Sequence, residues 1–240
     1  RLSIARDVAA LAELRLPPPN EFIAEDIALV DLPADAPDAP QVALETDRQK
    51  IWFKTDDEFR RPKGATYINF RSPQVNHSPE QSARAALYAS LAMDKVNEFA
   101  YPAQIAGLSF EFYKHAQGLS LRVRGYNDKQ ALLLEQLLVE LVEPDYDPAR
   151  FENIRSDMIR GLENTVAKRP SSQALDDLRE ALLPGTWGEQ ALIEALRATE
   201  LEDIQKYVGD FWRGASAEAL VYGNYREETV QQLNEMLASV

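Results

Sequence analysis

The sequence predicts an α+β fold of two layers, a mostly antiparallel sheet with helices on one face, and three observations carry the prediction. Apolar and polar residues alternate with period two on two arms, 108–113 and 119–124. Apolar residues at spacings of three and four fill several segments after residue 78. The elements run as strands, helix, hairpin, several helices, strand and helix, and helices that follow paired antiparallel strands pack together on one side of them.

Residues 4 to 15 (IARDVAALAELR) read as a short helix ended by Pro17, Pro18 and Pro19, which offer no backbone donors and impose extended geometry. Pro33, Pro37 and Pro40 punctuate a second breaker-rich stretch at 31–41. Residues 1–40 therefore read as a linker with a short N-terminal helix and a proline-rich connector, and 41–240 as one domain without a short-period repeat. VALET and IWFKTD give two short strands separated by Asp47, Arg48 and Gln49, and ATYINFRS at 65–72 gives a third. Ser78, Pro79 and Gln81 supply an N-cap, a first-turn proline and a capping-box partner for a long helix running to about Glu98.

The hairpin arms are joined through His115 to Gly118, where glycine suits a tight return. Asn127 or Asp128 is placed to cap a helix through Leu141. Asp147 with Pro148 caps another, whose apolar positions are Phe151, Ile154, Met158, Leu162 and Val166. Helical segments at about 172–183, 188–197 and 200–212 follow, then the strand AEALVYG and a last helix from Glu227.

Composition limits the chemistry. The 240 residues carry 26 Lys and Arg against 39 Asp and Glu, a formal charge of −13, which disfavours nucleic acid and anionic lipid as partners. No apolar run approaches the roughly 18 to 20 residues that cross a bilayer. The absence of cysteine excludes disulfides, thiolate zinc sites and thiol catalysis. It fits a periplasmic or a cytosolic protein equally.

Two histidines remain. His77-Ser78-Pro79-Glu80-Gln81 approaches the inverted zinc motif H-x-x-E-H, but Gln81 stands where the second histidine belongs and is a poor zinc ligand. The capping role of Ser78 and Pro79 explains the same spacing. His115, in a hairpin turn, reads as a solvated turn residue. The adjacent acids Asp56 and Asp57, Asp176 and Asp177, and Glu227 and Glu228 point in different directions from a strand or helix and read as solvated surface. By residue chemistry alone no active site is visible.

Two local features stand out. Gly125-Tyr126-Asn127-Asp128-Lys129-Gln130 joins a strand to a helix and reads as a well-built turn. The run from Asn97 to Gly107 alternates aromatic, polar and small residues, which either line a cavity or seat a helix corner in the core.

These two stretches also carry a resemblance. NEFAYPAQIAGLSFEF followed by LSLRVRGYNDKQALLLEQLL resembles the third of four homologous domains in the pitrilysin and insulysin class of zinc metallopeptidases, the insulinase family. LPPPNEFIAEDIAL, IWFKTDDEFRRPKG, DPARFENIRSDMIRGLEN and VYGN extend the likeness in order along nearly the whole chain.

The resemblance implies a parent enzyme whose first domain carries H-x-x-E-H, a downstream glutamate and the zinc, while later domains keep the fold and lose the metal. The helix at 79 bears Ala83, Arg84, Ala86 and Leu87 with no histidine pair, and Ile154 and Met158 stand where the third ligand would come from. What is implied here is a domain with no cofactor and no activity of its own, enclosing peptide substrate and supporting the other domains of the same polypeptide. Tyr101 and the turn from Gly125 to Gln130 become candidates for chamber-facing or interdomain positions. A periplasmic location is the expectation, a cytoplasmic one the alternative. The competing functional readings are an interaction module that has left proteolysis, and a hydrolase using His77.

Overall fold

The computed structural model describes residues 18–32, 36–167 and 169–239. The helix expected at 4–15, with Pro17 and Pro33, lies outside them. Strands β1 (Gln41–Glu45), β2 (Gln49–Thr55) and β3 (Lys63–Arg71) precede helix α1 (Pro79–Ile105). The hairpin β4 (Ser109–His115) and β5 (Gly118–Tyr126) leads through a 3-10 turn, Asn127–Lys129, into α2 (Gln130–Val142). Four more helices follow, α3 (Pro148–Glu163), α4 (Pro170–Leu182), α5 (Glu189–Ala198) and α6 (Leu201–Gly214). Strand β6 (Ser216–Gly223) and α7 (Glu228–Ala238) complete the order.

The six strands form one sheet in the order β1-β2-β6-β3-β5-β4. The β2/β6 pair is parallel and every other pair antiparallel. Alternation decides which face is covered. Ile51, Ile68, Phe70, Phe112, Leu119, Leu121, Val123 and Val221 are buried on the helix side. Their neighbours Trp52, Tyr67, Tyr113 and Arg122 are only half-buried on the other side.

On the covered side an aromatic cluster joins sheet to helices. Tyr88 of α1 is fully buried and packs edge-on against Phe112, with Tyr207, Phe211 and Trp212 of α6 around it. Its hydroxyl donates to Leu141 O at 2.8 Å and accepts from Trp212 Nε1 at 2.9 Å, so a deeply buried phenol is fully partnered.

Several local expectations change. Ser78 does cap α1, its side chain accepting from Gln81 N, but Gln81 Oε1 is buried without a partner, so no capping box closes. The helix runs past residue 98 and through Pro102, because Ala100 and Ala103 are fully buried and packing outweighs the missing donor. It stops at Gly107, φ +85°, where Gly107 N bonds Gln104 O and Leu108 N bonds Ala103 O.

The hairpin turn itself is Ala116-Gln117. Gly118 already pairs with His115, and it is required because a Cβ there would lie 1.8 Å from Phe70 O. His115 is a half-buried strand residue and not a solvated one. Burial pushes its imidazole below the ordinary value, and the nearby cations Arg71, Lys114 and Arg122 push the same way against a hydrogen bond with the Leu119 backbone. Asp56 is also buried, accepting from the amides of Glu58 and Phe59 and from the Tyr222 hydroxyl. Burial pushes its carboxyl up, but these bonds hold it below the usual carboxylate range. Asp147 caps α3 as expected, and Phe151 is buried with Ile154, Met158 and Leu162 packed against the core; the side chain of Val166 lies outside the described ones.

Candidate functional site

Three glycines lie side by side across the middle of the sheet, at its end nearest the 3-10 turn. Gly64 of β3 pairs with Gly125 of β5 on one flank and Gly223 of β6 on the other. Gly125 (φ +132°) and Gly223 (φ +140°) occupy backbone regions that L side chains rarely adopt. A Cβ on Gly223 would lie 2.3 Å from Gly64 Cα, and one on Gly125 would lie 2.3 Å from Gly107 O. The bare row lets Tyr225 lie across Gly64 and the Gly107 corner close on β5. Tyr126 follows, its ring against Gly107 and under the Lys63 ammonium at 5.1 Å.

Asn127 and Asp128 do not cap α2. The position before that helix is Lys129, with no side-chain cap. Asp128 instead accepts from Glu25 N at 2.9 Å and Asp26 N at 3.3 Å, while Lys129 pairs with Glu25 at 3.3 Å. Burial pushes the Asp128 carboxyl up, but the two amides and Lys129 hold it below the ordinary range. Asn127 Oδ1 accepts from Asn224 Nδ2 at 3.2 Å. Gln130 Nε2 donates to Gly64 O at 2.7 Å and Gly125 O at 3.0 Å, tying the glycine row to α2.

The partner of this turn is the segment 20–32, a turn at 20–23 followed by an irregular run, which forms a strap laid over the end of the domain. Asn20 Nδ2 donates to Pro102 O at 2.8 Å, next to the exposed Tyr101, and Phe22 is buried. Further along, buried Asn224 accepts from Val30 N at 2.8 Å and donates to Ala28 O at 2.9 Å, the bonding pattern of a parallel strand pair made by one side chain. The strap thus runs from the Tyr101 corner over Asp128 to Asn224, and all seven candidate residues belong to the end of the domain that holds it.

Sequence reasoning alone missed Asn20, Phe22, Asn224 and Tyr225. The signal was the asparagine placed directly after a strand-terminal glycine in VYGN, read only as part of a likeness.

Beneath the strap lies a cavity of about 560 Å³, with Leu134, Val221 and Leu233 on its floor and Asp26, Asp128 and Glu228 among its polar lining. Elsewhere, His77 and Glu80 are exposed at the entrance to α1. Among the described residues no three His, Asp or Glu side chains converge on a point that could hold a metal. With an amide at Gln81, the donor set around α1 does not fit a catalytic zinc.

Residues 3–195 match the family model described as the middle or third domain of peptidase M16. An insulin-degrading enzyme from Homo sapiens is 32% identical over 225 residues, covering 94% of this chain and 22% of the relative. An A-factor-processing enzyme from Saccharomyces cerevisiae is 30% identical over 230 residues, 95% of this chain and 22% of its own. The chain thus spans less than a quarter of the length of these relatives. The crystal structure of pitrilysin superimposes with a TM-score of 0.84 at 21% identity, over 97% of this chain and 24% of that one, which shows the shared fold. On the strength of the matched family model and these relatives, the chain belongs to the peptidase M16 family, as its middle or third domain.

Proposed function

We propose that this chain is a non-catalytic domain of a multidomain zinc metallopeptidase, walling a chamber around peptide substrates and bracing the neighbouring domains. The single observation that carries the reading is the strap. Residues 20–32 are bound to the domain through Asn20, Asp128 and Asn224, which is how a connector from a preceding unit would be fixed in orientation. On this reading residues 1–40 are the connector, 41–240 the inactive peptidase domain, and Tyr101 and Gly125 to Gln130 its interdomain positions.

The uncovered sheet face suits a wall. Arg122 is stacked between the rings of Tyr67 (5.6 Å) and Tyr113 (4.8 Å), and Trp52 Nε1 donates to Glu218 at 3.0 Å. Rings and guanidinium groups held in place offer an extended peptide stacking and hydrogen bonds at little ordering cost. The Leu175, Leu178 and Leu182 stripe of α4, each more than half exposed, offers an apolar contact to another domain. In the parent, zinc held by the first domain supplies the hydrolytic chemistry, and the compartment we assign is the periplasm. Enclosure contributes by ordering small peptides and excluding large ones.

The test is a peptide-cleavage assay. The chain alone is expected to be inactive, and in the parent polypeptide Arg122→Glu should change the relative turnover of long and short peptides. Cleavage by the isolated chain that His77→Ala abolishes would overturn the proposal, as would a parent indifferent to Arg122→Glu.

A further inference from the structure

Helices α2 and α7 part along a groove of about 620 Å³ that continues the cavity under the strap, with Ala131, Gln232 and Met236 common to both. Leu138, Val139, Val142 and Met236 supply its apolar surface, and Val139 is left 53% exposed. The described lining adds three carboxylates, Glu135, Glu143 and Glu235, and no cation. Such a groove suits an amphipathic helix with an apolar stripe and a basic end.

The chain itself carries such a segment. In residues 4–15, Ile4, Val8 and Leu11 fall at i, i+4 and i+7, and Arg15 follows at i+11 on the same face. Residues 1–17 hold three arginines against two acids, in a chain whose formal charge is −13. A helix of about 12 residues is marginal in water by itself, so its stripe needs a surface. The described residues begin at Pro18, close to the groove: Gln136 of α2 donates to Glu21 at 3.1 Å, and Glu135 and Val139 lie within one turn of Gln136 on that helix. Leu16 to Asn20, extended by their prolines, span about 15 Å, enough to bring Arg15 to Glu135.

We propose that residues 4–15 dock as a helix in the α2/α7 groove, antiparallel to α2, with Arg15 beside Glu135, Leu11 against Val139 and Val8 against Val142. The spacing sets this register. Glu135, Val139 and Val142 stand at i, i+4 and i+7 on α2, and Arg15, Leu11 and Val8 repeat those intervals in reverse. The strap is thereby fastened upstream of Asn20, as Asn224 fastens it downstream. The inference uses no residue of the open sheet face and holds whether or not the domain walls a chamber.

The chain has no cysteine, so an introduced pair reports contact directly. The full chain carrying Leu11→Cys and Val139→Cys is oxidised beside one carrying Leu11→Cys and Leu175→Cys, whose second site is similarly exposed on α4. The first pair is expected to close an intramolecular disulfide about 10-fold faster or more. Glu135→Arg should slow that closure about 2- to 5-fold, and Arg15→Glu added to it should restore the rate. In the chain without substitutions, amide hydrogen exchange should show Val8 and Leu11 protected, and Val139→Glu should remove the protection. Equal rates for the two pairs, or a charge reversal that Arg15→Glu does not repair, would overturn the proposal. So would a product dominated by intermolecular disulfides, which gives the groove to a second copy, and so would free exchange at Val8 and Leu11, which leaves it to another domain.

Discussion

Asn224 grips Val30 across 194 positions of sequence, accepting its amide proton at 2.8 Å while returning a hydrogen bond to Ala28 O two residues earlier. A side-chain carboxamide is the smallest group that can reproduce both halves of a strand pairing, and here it substitutes for a seventh strand. Asn224→Ala should release the strap's end and leave the Asn127 side chain without its donor. Stability to chemical denaturation should fall by about 1–3 kcal/mol, with amide protection lost first at Val30. A change confined to global stability, with Val30 still protected, would count against the clamp.

The glycine row gives a contrast between two substitutions of the same type. Gly223→Ala places a methyl 2.3 Å from Gly64 Cα at φ +140°, and strain together with overpacking should cost about 3 kcal/mol or more. Gly161→Ala, in the last turn of α3 with nothing within 4 Å, should stabilise by about 0.5–1 kcal/mol. Thermal unfolding of the two variants side by side tests both signs.

Tyr88→Phe removes one oxygen and strands two partners, Trp212 Nε1 and Leu141 O, in the core. The expected loss is about 2–3 kcal/mol, larger than for a hydroxyl facing water. Trp212→Phe in the same background should cost less than it does alone, and a double-mutant cycle measures the difference.

Asp128 predicts the acid limit of the strap. Its carboxyl titrates below the ordinary value of 3.8 in the folded chain, so its contribution is complete above that value and is lost as pH falls through the folded one. The amide resonances of Glu25 and Asp26 should move together with a midpoint below pH 3.8, and Asp128→Asn should remove that titration. A midpoint above 3.8 would contradict the bonding described.

The accuracy of the sequence reading follows the reach of each interaction. Asp147 caps α3 because its acceptor and the Arg150 amide are three residues apart, a spacing the chain itself displays. Asn127 and Asp128 carry the same chemistry, yet their partners lie 97 to 103 positions away, so a local rule assigned them to the wrong amides. Gly118 was legible as necessary, but for the turn, when the true reason is the approach of Phe70 O from another strand. Tyr101, by contrast, stays exposed on the last turns of α1, and its proximity to the strap depends on Asn20 meeting Pro102. The strap and its cavity were invisible because they are made of pairings between residues 82 to 196 positions apart.

The strand order has a consequence for synthesis. β6 lies between β2 and β3 and pairs with both, yet it is the last strand made. A nascent chain halted before Ser216 holds two unjoined fragments of sheet, each with a raw margin open to mispairing. Assembly on the ribosome must therefore wait for β6 to leave the exit tunnel, and the domain closes from its centre outward.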